Sequence, residues 1–387
     1  MGITIIQKST PKTRKLNPRL ALVLAGGAVT GGAFKLGGLN ALDDFLVNRK
    51  VVDFDVYIGL SAGAFVAAPL AAGVTPLEML GSLDGEGELG QFRPLDVYFP
   101  NFGELVARPV EFLTDVLTYF PSAVAEFLTK TPAALADLRE ALGAYLAEPS
   151  FGRLSEIADA VLGAMRTRHA FPFVLDYLPS GLFDNRRLEV FIREGFAARG
   201  LTNSFRGLYR ERGKELYIVA MNLDTAERVV FGHDEDSALA ISEAVQASTA
   251  LPGFYKPARI KGVDYIDGGV RRTANIDVAI EHGADLIICY NPFRPFSNRV
   301  QRRFDRETGR YTYDGQPLAE SGILSVLNQV FRTLLHSRLQ YGLREYQDDP
   351  NFRGDIIVIE PKESDVHFFQ LNALSYWERL RAAQLGY

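Results

Sequence analysis

Five short apolar runs with almost no polar alternation constrain this chain more than any other feature. They are "LALVLA" (20–25), "VYIGL" (56–60), "ELYIVAMNL" (215–223), "DLIICYN" (285–291) and "DIIVIE" (355–360). A strand with one wet face alternates apolar and polar residues, so a run that is apolar at both parities must be covered on both faces. Helical patterns follow the first two runs: "GGAFKLGGLNALDDFLV", and "GAFVAAPLAAG" continuing into "TPLEMLGSL". Strand, helix, strand, helix predicts an α/β fold of three layers, α/β/α, around a mainly parallel central sheet. The 387 residues fit one such domain, 1–387, carrying insertions.

Between residues 84 and 180 the texture changes. "PVEFLTDVLTYF", "SAVAEFLTKTPAALADLREALGAYL" and "LSEIADAVLGAMRTR" read as amphipathic helices separated by prolines and glycines, a helical insertion or cap. The polar, arginine-rich interval 294–318 reads as a loop, and 321–346 as a long C-terminal amphipathic helix.

Several classes are disfavoured at once. Net charge is −5, so no basic surplus points to a nucleic-acid partner. The single cysteine, Cys289, excludes an intramolecular disulfide and reads as a buried strand residue. The basic start "MGITIIQKSTPKTRKLNPRL" lacks the apolar core of a secretory signal. Ile6 and Gln7 stand where a myristoylation motif needs Ser or Thr. The uncharged stretch Val56–Val74 holds a Gly-Ser-Gly turn and Pro69, which suits a buried strand–turn–helix better than a bilayer span. The expected location is cytoplasmic. Histidine and cysteine show no metal-ligand spacing, so neither a metal nor another cofactor is expected.

Three glycine-marked strand ends are the places for chemistry. "LVLAGGAVTGGAF" ends a strand and opens a helix, which gathers backbone N–H groups and a helix dipole at one spot. Neither a Walker loop nor G-x-G-x-x-G fits its register, leaving an oxyanion site at Gly26, Gly27 and Ala28 or glycines that merely ease packing. Gly59-Leu60-Ser61-Ala62-Gly63 places a serine on a sharp strand-to-helix turn, where a nucleophile is held exposed. "VDYIDGG" places Asp267 before Gly268 and Gly269, as a carboxylate on a bent backbone or as a plain Asp-Gly turn. Of the five histidines, only His233 and His367 fall in loops where a triad base could stand.

In this order the three motifs resemble the patatin-like phospholipase family, as do the blocks "ASTALPGFYKP" and "GLFDNRRLEVFI". The resemblance covers roughly residues 20–80 and 180–292. It implies a single patatin-like domain in which Ser61 and Asp267 form a dyad without histidine, and the glycine-loop amides hold the oxyanion. The family loop G-G-G-x-R-G is here Gly26-Gly27-Ala28-Val29-Thr30-Gly31, with one residue more before "AFKLGGL" and with Thr30 or Gly31 in place of the arginine.

The implied activity is hydrolysis of fatty-acyl esters through an acyl-enzyme, of phospholipase A or lysophospholipase kind. The implied partner is a lipid or other acyl ester, with transient contact at a membrane surface. The aromatic insertion could then act as acyl channel, lid or bilayer-touching face, or simply as a packed subdomain or dimer interface. Two other readings stand beside this one. They are an anion-binding module with an inert Ser61, and an esterase or thioesterase using His233 or His367.

Overall fold

The computed structural model describes residues 2–10, 15–85, 89–148 and 173–387 apart from 308, 350 and 351, together with 87, 150, 152–153, 155–157 and 159. The chain divides into two compact units, one formed by Met1–Pro100 with Phe183–Tyr387 and the other by Asn101–Leu182.

The strands, in chain order, begin with β1 (Gly2–Gln7), β2 (Leu20–Leu24), β3 (Val56–Leu60) and β4 (Gly181–Phe183). Next come β5 (Glu215–Asn222), β6 (Arg228–Phe231), β7 (Gly253–Tyr255), β8 (Ala258–Ile260) and β9 (Val263–Asp267). The last four are β10 (Leu286–Tyr290), β11 (Gln301–Asp305), β12 (Arg310–Asp314) and β13 (Asp355–Glu360).

A nine-stranded sheet of order β1-β13-β10-β2-β3-β5-β9-β8, with β6 on β5, organises the first unit. Its centre, β13-β10-β2-β3-β5, is parallel throughout. These five strands are the five apolar runs of the sequence. β2 shows why they carry no alternation: Leu20, Leu22 and Leu24 enter one core, Ala21 and Val23 the other. Helices α1 (Ala28–Phe45) and α2 (Ala62–Ala71) supply the first core, and the helices Ile276–Glu281 and Ile323–Asp348 line the second. The fold is the expected three-layer α/β/α arrangement.

Several local readings change. The basic N-terminus forms β1, antiparallel to β13 at the sheet edge. The arginine-rich interval is no simple loop but an antiparallel hairpin, β11–β12. It was hidden because the residues on both of its faces are polar or aromatic and solvated, so no apolar face marks it.

The second unit carries a 46-residue helix, Phe102–Ala147, where prolines suggested breaks. A proline removes one N–H bond and costs ~3 kcal/mol, which a helix this long absorbs. The helical interval was expected to open at residue 84, yet 84–100 pack with the first unit. The helix read into "LSEIADAVLGAMRTR" lies mostly outside the described residues. Among the described residues, no helix is long and apolar enough to cross a membrane.

Candidate active site

β3 ends at Leu60 and α2 begins at Ala62, so Ser61 alone makes the turn. It adopts φ 54° and ψ −128°, a conformation costing ~1–3 kcal/mol for a residue with a Cβ. Its flanking glycines let the chain fold this sharply. A Cβ on Gly63 would stand 2.0 Å from the Leu24 carbonyl oxygen, and one on Gly59 2.5 Å from Ala64 Cα. The Ser61 N–H donates to Ser248 Oγ at 2.8 Å, and the Ser248 hydroxyl donates to the Val219 carbonyl at 2.6 Å. Ser248, on the helix Ile241–Thr249, thus ties the strained turn to β5.

The sheet register brings Asp267 to this turn. Leu60, the last residue of β3, pairs with Val219, and Asp267, the last of β9, pairs with Ala220. β6 fills the opposite edge of β5 along 218–221. Parallel β3 and antiparallel β9 therefore share one edge of β5 and run toward each other, ending on adjacent rungs. Ser61 and Asp267 meet at that junction.

The Ser61 hydroxyl lies close enough to the Asp267 carboxylate to draw its pKa down, and the Gly269 N–H donates to Asp267 Oδ1 at 2.8 Å. Gly268 packs so closely that a Cβ there would lie 2.8 Å from the Val219 oxygen. Ser61 is only 8% exposed and Asp267 5%. Burial pushes the Asp267 carboxyl up to about 6, against the Ser61 hydroxyl, the Gly269 amide and the Lys35 ammonium, which all draw it down.

The glycine loop adjoins the same junction. Where the chain enters α1, Gly27 has φ 149° and Ala28, the first residue of the helix, φ 52°. The first N–H groups of α1 have no intrahelical acceptor and carry the positive end of its dipole. A Cβ on Gly26 would lie 3.3 Å from Ser61 Cβ and 2.9 Å from the Phe293 ring, and one on Gly27 2.6 Å from Pro292. Thr30 is buried and Gly31 packs on Pro292. Behind Pro292, Arg332 donates to the carbonyls of Pro292 at 3.1 Å and Arg294 at 3.3 Å.

Lys35 is the residue that sequence reasoning missed. It is fully buried on α1, and its Nζ donates to the Ala25 carbonyl and, at 3.0 Å, to the Gly26 carbonyl. The C=O and N–H of a trans peptide point in opposite directions. Those two bonds therefore turn the Gly26 and Gly27 N–H groups away from the lysine. Burial lowers its amine to about 7, while Asp267 acts to raise it. One signal was available: Lys35 is the only charged residue between Arg19 and Asp43.

The two histidines lie elsewhere. His233 stacks on the Tyr209 ring and faces Asp234 at 3.2 Å. His367 stands in the short helix Val366–Phe369. Neither is bonded to Ser61 or Asp267.

A cleft open to solvent reaches Ser61. Apolar side chains dominate its walls, among them Leu36, Phe65, Met79, Phe92, Phe191 and Phe254. Besides Ser61, its polar side chains are Ser82, Thr249, Tyr255 and Arg379. Arg379 lies over the Tyr376 ring at 3.8 Å and donates to the carbonyls of Leu83 and Tyr376. The arrangement sets a strained serine hydroxyl and a carboxylate of raised pKa beside an apolar trough.

The sequence pattern of the patatin-like phospholipase family matches residues 22–89 and 97–280, an interval that includes the glycine loop, the elbow and the Asp-Gly-Gly turn. A protein named "Probable lipid hydrolase 463L" from Invertebrate iridescent virus 6 is 23% identical over 274 residues, which is 70% of this chain and 68% of that protein. Among solved structures, VipD from Legionella pneumophila is similar at 18% identity and a TM-score of 0.38 over 77% of this chain. The type III effector ExoU is similar at 16% identity and a TM-score of 0.30 over 90% of this chain. The chain spans 54% of the length of VipD and 60% of that of ExoU. With the family pattern running through most of its length, this chain belongs to the patatin-like phospholipase family.

Proposed function

We propose that this protein is a serine lipid acyl hydrolase that cleaves fatty-acyl esters, of phospholipase A or lysophospholipase kind, through a Ser61–Asp267 dyad. Family membership and a relative named as a lipid hydrolase support lipid as the substrate. The observation that carries the mechanism is the strained Ser61 beside the buried Asp267 carboxylate, lining an apolar cleft.

In this reading Ser61 Oγ attacks the ester carbonyl as Asp267 takes its proton. An ordinary aspartate is a weak base for a serine, and a carboxyl raised to about 6 is better matched while still ionised at neutral pH. The tetrahedral oxyanion is held by the amides of Gly26, Gly27 and Ala28, the first two oriented by the Lys35 bonds behind them. The leaving alcohol takes the proton from Asp267. Water, activated by the same carboxylate, then attacks the acyl-enzyme and releases the fatty acid. Lys35 is a positioning residue: it holds the loop carbonyls and keeps Asp267 anionic.

The test is fatty-acid release from a panel of phospholipids and lysophospholipids by the purified chain. Ser61→Ala and Asp267→Asn are each expected to lower turnover by ~10⁴-fold, and the double variant to be little worse than either, as for groups that act as one unit. Full activity in folded Asp267→Asn would remove the dyad. Loss in His233→Ala or His367→Ala as deep as in Ser61→Ala would move the base to that histidine.

A further inference from the structure

Beyond β10 the chain passes from the rim of the site into an arginine-rich stretch. Pro292 and Phe293 lie against Gly27 and Gly26. Phe296 then exchanges two hydrogen bonds with Gln329 on the helix Ile323–Asp348, at 3.1 Å and 2.7 Å. From this anchored base rises the hairpin β11–β12. Its register sets Arg302 opposite Tyr313 and Phe304 opposite Tyr311, and strand alternation puts these four side chains on one face. The Phe304 and Tyr311 rings stand 5.1 Å apart. Phe304, Tyr311 and Tyr313 are 55%, 61% and 48% exposed.

Charge and the neighbouring helix extend the pattern. Residues 294–310 hold six arginines against Asp305 and Glu307, in a chain whose net charge is −5. Arg302, Arg303, Arg306 and Arg310 are all exposed. On the adjoining helix, Ile323, Leu327, Val330 and Leu334 are also exposed, and their spacing of four, three and four puts them on one side.

Aromatic rings beside arginines suit the headgroup layer of a membrane, where ring bodies meet acyl chains and guanidinium groups meet lipid phosphates. A nucleic acid would leave the aliphatic stripe unused, and a neutral protein face would leave the arginines unused. We propose that hairpin 301–314 and the exposed face of 323–334 form the surface by which this chain docks onto an anionic phospholipid bilayer. The proposal rests on the lipid-hydrolase reading for its purpose, since a docked bilayer supplies substrate to a site whose rim is continuous with the hairpin root.

Binding is measured by cosedimentation of the full chain, carrying Ser61→Ala so that lipid is not consumed. The vesicles are phosphatidylcholine with and without phosphatidylserine. The expected result is salt-sensitive binding that is stronger with phosphatidylserine. Arg302→Glu with Arg303→Glu is expected to lower partition by about tenfold or more, and Phe304→Ser with Tyr311→Ser to lower it on both vesicle types.

With Ser61 intact, both double variants are expected to keep the parent rate on a soluble short-chain ester and lose rate on vesicles. Failure of the hydrolase reading looks different: no form cleaves any ester, while vesicle binding persists. Parent-like vesicle binding by both double variants overturns the docking surface. So does sedimentation in which they dissociate a self-associated parent that never binds vesicles, since the face is then an interface between copies. The two pairs are independent, so a variant misfolded by circular dichroism leaves the other to decide.

Discussion

Helix α2 and the helix Phe102–Ala147 are both rich in apolar residues and both contain proline, yet their surroundings are opposite. In α2 nearly every residue is buried, and the side chains are mostly alanine with Gly63 at the second position. In the long helix Phe102, Val106, Val110, Leu113 and Leu117 recur every three or four residues, and all are exposed. The difference is one of cause. The residues of α2 are dictated by neighbours, because strand ends and carbonyls leave room only for glycine or alanine along the face turned to the sheet. Those of the long helix are dictated by helix propensity and an apolar stripe, with no such limit on volume.

The largest effect expected from this contrast is at Gly63. A methyl group there meets the Leu24 and Ala25 carbonyl oxygens at 2.0 and 2.6 Å. These are backbone atoms of a central strand and its exit, and neither can give way cheaply. Gly63→Ala is expected to destabilise the first unit by several kcal/mol, at the upper end for single substitutions, and to abolish activity through loss of the elbow. Thermal unfolding by circular dichroism checks it. A parent-like melting temperature would mean that α2 can slide outward, and that its burial does not fix the turn.

A smaller effect is expected at Lys35, and it concerns chemistry more than packing. Its charge lowers the Asp267 pKa, which burial holds up to about 6. In Lys35→Met that pull is gone, so the Asp267 pKa rises and the ionised base is reached only at higher pH. The acid limb of kcat/KM is expected to move upward. The deficit should be about tenfold near pH 6 and shrink as pH rises, down to a residue due to the slackened loop. The lysine's own value is about 7, so the parent gives up this advantage over the same interval. A deficit that is constant with pH would leave Lys35 as packing alone.

These two positions also show what the sequence could reveal. The five central strands are legible because burial on both faces leaves a continuous apolar run, and the three glycine-marked turns are legible because close backbone approach admits little else. The meeting of Ser61 with Asp267 is legible only through the family resemblance. It depends on β3 and β9 ending on adjacent rungs of β5, which no local pattern encodes.

Ser248 carries no such mark in the sequence, and Lys35 only its isolation as the one charge between Arg19 and Asp43. Both act through side-chain hydrogen bonds that only the folded turn shows, Ser248 across the chain to Ser61 and Val219, Lys35 back to the glycine-loop carbonyls. β1 and the β11–β12 hairpin escaped for the opposite reason. Each lies where strands face water, and there the hydrophobic period that marks a strand fades.

The smallest expected effect tests the exposed side of the comparison. A Cβ on Gly143, inside the long helix, meets nothing within 4 Å. Glycine in a helix interior is less favourable than alanine by ~0.5–1 kcal/mol, because the unfolded chain loses more freedom in ordering it. With open space around the added methyl, Gly143→Ala should therefore raise the stability of the Asn101–Leu182 unit by up to that amount. Turnover of a soluble ester should not change. Chemical denaturation followed by circular dichroism reads the shift, repeated at several protein concentrations. If the variant is instead less stable, and the loss grows with concentration, a second copy covers that side of the helix and the methyl obstructs it. The contrast between α2 and the long helix would then hold for the single chain alone.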